Sequence, residues 1–165
     1  MLQNILGMKI HLILVGKTEK GFIEMGINEY EQKLKHYIPF QIHVLTPPAN
    51  IRKLTPMIIK DKETELLLDM LKDFSNIILL DEKGEQFTSV GFSQFVQRKL
   101  NESVKELTFV VGGSFGFSEK IKQLRIEKKI ALSQMTYSHQ MVRVIFLEQV
   151  YRAFTILKNE PYHHI

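Results

Sequence analysis

His139 and Arg143 stand four residues apart in a segment, 139–154, that is otherwise mostly apolar. On a helix that spacing puts both on one face, where an imidazole could accept a proton and a guanidinium could hold a phosphate or an oxyanion. A structural reading competes with this one: a buried histidine bonded to backbone, and an arginine in an ion pair. Directly upstream, Ser133-Gln134-Met135-Thr136-Tyr137-Ser138 forms a polar loop after the apolar run Ile130-Ala131-Leu132. A second candidate is Gly112-Gly113-Ser114-Phe115-Gly116. Glycines let backbone N–H groups come close to a ligand, yet this cluster is neither a dinucleotide fingerprint nor a Walker A loop. A tight strand-to-helix turn explains it equally well. The tail Tyr162-His163-His164 lacks the ligand set of a metal site and reads by default as flexible, although its rings could stack on an RNA base. Arg152 has a simple partner in Glu148, one helical turn earlier. No nucleophilic serine motif, zinc-protease motif or convincing carboxylate dyad is present.

These residues need elements to position them. Lys9 to Val15 is an apolar run of strand length, ending at Gly16-Lys17. Phe22 to Tyr37 places Ile23, Ile27, Tyr30, Leu34 and Tyr37 at helical spacing, and Phe40 to Leu45 alternates as a second strand. Thr55-Pro56 opens a helix as an N-cap followed by proline. That helix runs to about Lys72, with Lys60-Asp61-Lys62-Glu63 as a solvent-facing stretch. Residues 76–80 form a buried strand that Asp81-Glu82-Lys83-Gly84 ends in a turn. A helix over 89–101, a strand over 107–111, a short helix from Ser118 and a fifth strand over 130–132 follow. The last helix, from His139, is apolar on nearly every face and so must be buried on all sides. Strands alternating with helices give a single α/β domain with a mainly parallel sheet, preceded by an extension over residues 1–7. In such sheets ligands bind beyond the carboxyl ends of strands. The loops 80–84, 112–116 and 133–138 lie there.

Composition narrows the function classes. The chain has 165 residues and no cysteine, which excludes disulfides, thiolate zinc sites and cysteine nucleophiles. No apolar run approaches the roughly 20 residues of a membrane span. The opening MLQNILG lacks the basic region of a signal peptide, and a cytoplasmic protein is expected. A net charge of +4 fits either a solvated surface or a polyanion partner. Basic clusters at Arg52-Lys53, Arg98-Lys99 and within Lys120–Lys129 are too sparse to form a nucleic-acid motif.

Taken in order, several motifs are specific enough to point to a family. They are MKI-x-L-I-L-V-G-K from Met8, Leu79-Leu80-Asp81-x-x-Gly84, and Phe109-Val110-Val111-Gly112-Gly113-Ser114-x-Gly116. Ala131-Leu132-Ser133-x-Met135-Thr136-x-Ser138-His139-Gln140-x-x-Arg143 and Glu148-Gln149-x-Tyr151-Arg152-Ala153 follow, and Pro161-Tyr162-His163 completes the set. The chain closely resembles the RlmH family of bacterial ribosomal RNA large-subunit methyltransferases, in the SPOUT superfamily, over Met8 to His164. The family usually has proline where Ser138 stands.

The resemblance implies a SPOUT-type domain over residues 8–165, with a five- to six-stranded sheet and a C-terminal trefoil knot. It implies a homodimer and S-adenosyl-methionine (SAM) as methyl donor; from the residues themselves no metal is expected. The substrate it implies is N3 of a pseudouridine in the 23S ribosomal RNA hairpin at the decoding region, methylated in the assembled ribosome. Carried over by motif, the cofactor positions are Leu80, Gly112, Leu132, Ser133, Gln134, Met135, Thr136 and Tyr137. His139, Arg143 and His163 are expected at the chemistry, and Arg143, Arg152, Tyr162 and His163 on the RNA. Two rival readings are a SPOUT enzyme for another RNA, such as a tRNA, and a non-catalytic ribosome-associated RNA-binding module.

Overall fold

A computed structural model describes residues 7–162. His163, and all but the last residue of the expected 1–7 extension, lie outside the described residues. The elements in chain order are β1 (Lys9–Val15), α1 (Phe22–Lys35), β2 (Phe40–Leu45), α2 (Pro56–Met70), β3 (Ile77–Gln86), α3 (Ser89–Asn101), β4 (Glu106–Val111), β5 (Ile126–Ala131) and α4 (His139–Leu157). Five strands form one sheet in the order β2-β1-β4-β3-β5, and every neighbouring pair is parallel. This is the α/β class that the alternation of patterns predicts.

Strand alternation divides the core between two faces of the sheet. Ile10, Leu12 and Leu14 of β1 point to the face covered by α1, α3 and α4. Ile13 and Val15 point to the other face, where Leu67 of α2 and Leu71 just beyond it cover them. With both faces covered, the inner strands read as continuous apolar runs rather than alternating ones. On the first face α4 packs against α1 and α3, and the Phe146 ring meets Phe109 at 4.7 Å between centroids. Burial of a side chain such as Phe146, 0 % exposed, contributes about 1.5–3 kcal/mol.

Local chemistry sets the helix starts. The Ser138 hydroxyl accepts from Met141 N at 3.2 Å at the start of α4, and Thr88 accepts from Gly91 N at 3.0 Å for α3. Thr55 occupies the cap position of α2 without a side-chain bond, leaving Pro56 as the start signal. The short helix after Ser118 is a 3-10 turn over Glu119–Gln123.

Three expectations are corrected. β3 does not stop at Leu80. It pairs with β5 through Leu80, bulges over Asp81–Gly84, and resumes with Glu85 opposite Ile130. Gly84 makes the bulge possible, because a Cβ there would sit 2.5 Å from Ile130 N and 2.6 Å from the carbonyl carbon of Lys129. β5 begins at Ile126 rather than Ile130. Its middle is charged because it is an edge strand, with Lys129 paired to Asp81 of the bulge at 3.2 Å and Lys128 paired to Glu85. Finally, α4 is not buried on all sides within one chain: Met141, Val142, Val144 and Ile145 are only half-buried.

Candidate active site

The carboxyl ends of β3, β4 and β5 converge on a cleft of about 430 Å³, within the roughly 300–1,000 Å³ of small-molecule pockets. Leu80, Val111, Ile130 and Leu132 supply apolar wall, and Gly112 and Gly113 bring bare backbone to it. Of the expected cofactor positions, Leu80, Gly112, Leu132, Ser133, Met135, Thr136 and Tyr137 all line this cleft. Gln134 does not, and it is exposed. The loop over 133–138 is shaped by its own polar groups. Ser133 Oγ accepts from Met135 N at 2.9 Å, and Thr136 Oγ1 donates to Glu82 Oε2 of the β3 bulge at 3.3 Å.

His139 lines the same cleft, and its tautomer follows from its neighbours. Gln140 accepts from Glu19 N at 3.1 Å through Oε1, which turns its amide nitrogen toward Lys17 O at 3.0 Å. The second amide hydrogen then faces His139 Nε2 at 3.1 Å. Nε2 is therefore an acceptor, and the ring proton sits on Nδ1, 3.4 Å from Ser114 Oγ. Burial lowers the His139 pKa from its ordinary 6.5, and the Arg143 charge lowers it further. The ring is neutral at physiological pH.

Arg143 stands behind the cleft rather than in it. It is 0 % exposed and is not among the residues lining the cleft. Nη2 donates to Val15 O at 2.8 Å and Nη1 to Thr18 Oγ1 at 2.9 Å, while Nε has no hydrogen-bond partner. Burial pushes its pKa down to about 10, so it remains a cation. In the isolated chain it ties α4 to the end of β1 and reaches no phosphate.

Arg152 and Tyr162 are held at the other end of α4. Thirteen residues separate Arg152 from His139, about 20 Å along a helix. Arg152 Nε donates to Glu148 Oε1 at 2.9 Å, and its guanidinium lies over the Tyr162 ring at 4.7 Å. The Tyr162 hydroxyl donates to the same Glu148 oxygen at 3.2 Å. Burial raises the Tyr162 pKa, so the hydroxyl stays protonated.

Two contributors were hidden in the charged opening of α2. Lys60 lines the cleft, and the Glu63 carboxyl packs behind Gly113. Both belong to the stretch expected to face solvent. A charged helical turn carries no mark of a nearby glycine loop, and only the fold brings the two together. Among the described residues no group of three or more His, Cys, Asp or Glu is placed to hold a metal ion, and no helix is long and apolar enough to cross a membrane.

A family model described as a predicted SPOUT methyltransferase matches residues 8–163. The chain belongs to the SPOUT methyltransferase family. Its curated relatives carry the name to which the motifs point. The chain is 51 % identical over 157 residues to "Ribosomal RNA large subunit methyltransferase H" of Parabacteroides distasonis, covering 95 % of this chain and 99 % of that protein. The same name and coverage apply at 48 % identity in Flavobacterium johnsoniae. Among solved structures, a probable methyltransferase from Bordetella pertussis Tohama I aligns with a TM-score of 0.52 at 9 % identity, over 93 % of this chain and 97 % of that one. A probable methylase family protein from Haemophilus influenzae Rd KW20 gives 0.53 at 12 % identity, over 96 % of this chain and 68 % of that one. These two similarities show the shared fold, and the SPOUT methyltransferase assignment rests on the family model and the close relatives.

Proposed function

We propose that this chain methylates large-subunit ribosomal RNA, with S-adenosyl-methionine as donor and N3 of a pseudouridine in the decoding-region hairpin of the assembled ribosome as acceptor. One observation carries the reading: the three strand-end loops that the motifs single out form a single cleft. The names of the close relatives support the RNA class.

The residues fit the donor. An apolar wall with bare glycine backbone can hold a flat base, because N–H and C=O groups reach it without intervening side chains. Bound there, S-adenosyl-methionine would supply an electrophilic methyl group on sulfur. The chain's own work is to align the attacking nitrogen and to help its proton leave. Neutral His139 is the candidate base, and its Nε2 lone pair already accepts from Gln140. To act, it exchanges that donor for the substrate proton, directly or through water. Arg143 serves as a positioning residue, fixing Val15 and Thr18 beside the turn that holds Gln140.

The homodimer belongs to the same proposal. The half-buried apolar side of α4 suits a second copy. With roughly 20 Å along α4 between His139 and Arg152, Arg152 and Tyr162 would hold RNA at the cleft of the partner subunit rather than at their own. The trefoil knot is proposed with it: β5 lies at one edge of the sheet, yet α4 packs back against α1. A cytoplasmic location follows from the substrate.

The test is mass spectrometry of ribosomal RNA from a deletion strain. Loss of one methyl on one pseudouridine is expected, and an unchanged profile overturns the substrate. Assays comparing intact ribosomes, isolated subunits and tRNA separate this reading from a tRNA enzyme. Failure to bind S-adenosyl-methionine in calorimetry would favour a non-catalytic module.

A further inference from the structure

Glu63 takes no part in that chemistry, yet its side chain is placed with care. Its Oε2 is buried and has no hydrogen-bond partner. A Cβ built on Gly113 would collide with that oxygen and lie 2.9 Å from the carboxyl carbon. The carboxyl therefore fills the space that a side chain at 113 would need. Gly113 itself lines the cleft, so the carboxyl lies directly behind a residue of the cleft wall. The helix turn carrying Glu63 is clamped under this loop. Thr64 Oγ1 donates to Lys60 O at 2.8 Å and accepts from Ser118 N at 3.1 Å.

We propose that Glu63 makes the cleft prefer the positively charged methyl donor over its spent thioether product. This rests on the cofactor reading above. When the methyl group leaves, the electron pair of the carbon–sulfur bond stays on sulfur, and the sulfonium becomes neutral. Donor and product otherwise carry the same ammonium and carboxylate groups, so they differ by one positive charge. When ionised, a carboxylate on the far side of a glycine backbone stabilises the first more than the second.

Other carboxylates line the cleft directly, but Asp81 is paired with Lys129 at 3.2 Å and Glu82, which accepts from Thr136, is exposed to solvent that screens its charge. Lys120 is engaged by Glu65 at 2.6 Å and Asp61 at 3.8 Å, and Lys122 is paired with Glu119. Lys60 also lines the cleft and opposes Glu63, but its ammonium is on a flexible stem that can turn to water. The Glu63 oxygen is in the drier place, where a charge acts more strongly. That dryness also raises its pKa above 4.5.

Calorimetry on the full-length protein with S-adenosyl-methionine and S-adenosyl-homocysteine tests the proposal. Glu63→Gln and Glu63→Met keep the size of the side chain and remove its charge, and two chemistries guard against a folding defect in one. The expected result is a Kd for the donor raised about three- to tenfold, with the product Kd within about twofold of wild type. In the wild type the preference for donor should also shrink on acidification. His139, which titrates in the same cleft, is common to all three proteins, so only the wild-type excess belongs to Glu63. If both ligands weaken in step, Glu63 is a structural prop for the glycine loop and the proposal is overturned. Unchanged affinities overturn it as well. A wild-type protein that binds neither ligand would sink the cofactor reading itself, a result distinct from either of these.

Discussion

Ser114 Oγ lies 3.4 Å from Nδ1 of His139, joining residues 25 apart in sequence across the mouth of one cleft. The contact couples the glycine loop after β4 to the first turn of α4. A ligand pressed against the loop would therefore be felt by the imidazole. The same ring is fixed on its other side by Gln140, so its orientation is set before any substrate arrives.

The pH dependence of methylation should report on this histidine. Its pKa lies below 6.5 through burial and the Arg143 charge, so the neutral base predominates above that pH. The rate is expected to be flat near neutrality and to fall on acidification with a midpoint below 6.5. His139→Asn should lower the rate about 10²–10⁴-fold if the imidazole is the base and should abolish this acid limb. Stability moves with the same sign. A histidine whose folded pKa is depressed contributes fully above its unfolded value, and that contribution is lost as pH falls toward the folded value. His11 and His43 are shifted in the same direction, chiefly by burial. The variant should therefore remove only part of the slope in a pH series of urea unfolding curves.

Arg143→Ala should destabilise the fold by about 2–4 kcal/mol. Arg143 is fully buried, and its loss leaves Val15 O and Thr18 Oγ1 without their donors in a site that water cannot readily reach. Arg143→Lys restores the charge but not the fork that serves two acceptors at once, and it should recover less than half of the loss. Chemical denaturation of the two variants checks this. If Arg143→Ala is as stable as wild type but fails to methylate, the arginine acts on substrate rather than on β1.

The folding pattern was legible where periodicity was strong. The continuous apolar runs of β1 and β4 and the helical spacing of α1 each give one answer, and the structure agrees with them. β5 was half hidden because Glu127, Lys128 and Lys129 sit in an edge strand, where charge is favoured and imitates a loop. The β3 bulge was read as a strand end because Asp81 to Gly84 has the composition of a turn, although the strand continues through it to Gln86. At the site, the loop residues could be named from motifs, and Lys60 and Glu63 could not. Their role depends on α2 crossing the glycine loop, a long-range contact with no local signature. Arg143 was recognisable as special but not as inward-facing, because four-residue spacing from His139 fixes a helical face and not the depth of each side chain.

Gly84→Ala should cost about 1–3 kcal/mol and weaken cofactor binding together with stability. The added carbon would meet Ile130 N at 2.5 Å and the carbonyl carbons of Ile130 and Lys129 at 2.6 Å. All three are backbone atoms and cannot swing aside. Relief requires β3 and β5 to part where Leu80 and Ile130 line the cleft. Urea unfolding and donor titration on the same preparation measure both effects. A Gly84→Ala variant of wild-type stability would mean that the bulge is looser than this packing.

The strongest check on the dimer is complementation between two damaged subunits. His139→Ala removes a group in the cleft, whereas Arg152→Ala removes one about 20 Å away along α4. If the cleft of one protomer works with the tail end of the other, each homodimer is inactive for a different reason. Subunit exchange between them creates mixed dimers in which one cleft has an intact His139 and faces an intact Arg152. With random pairing, half the dimers are mixed and each has one whole site, so roughly a quarter of wild-type activity should return in a two-fold symmetric assembly. Both variants must first be shown to fold, since Arg152 also packs on Tyr162 and bonds Glu148. Size-exclusion chromatography with light scattering tests for a dimer, and methylation assays on ribosomes before and after mixing give the answer. No recovery from two folded, exchanging dimers would place each site within a single chain, and the RNA role of Arg152 would then have to be abandoned.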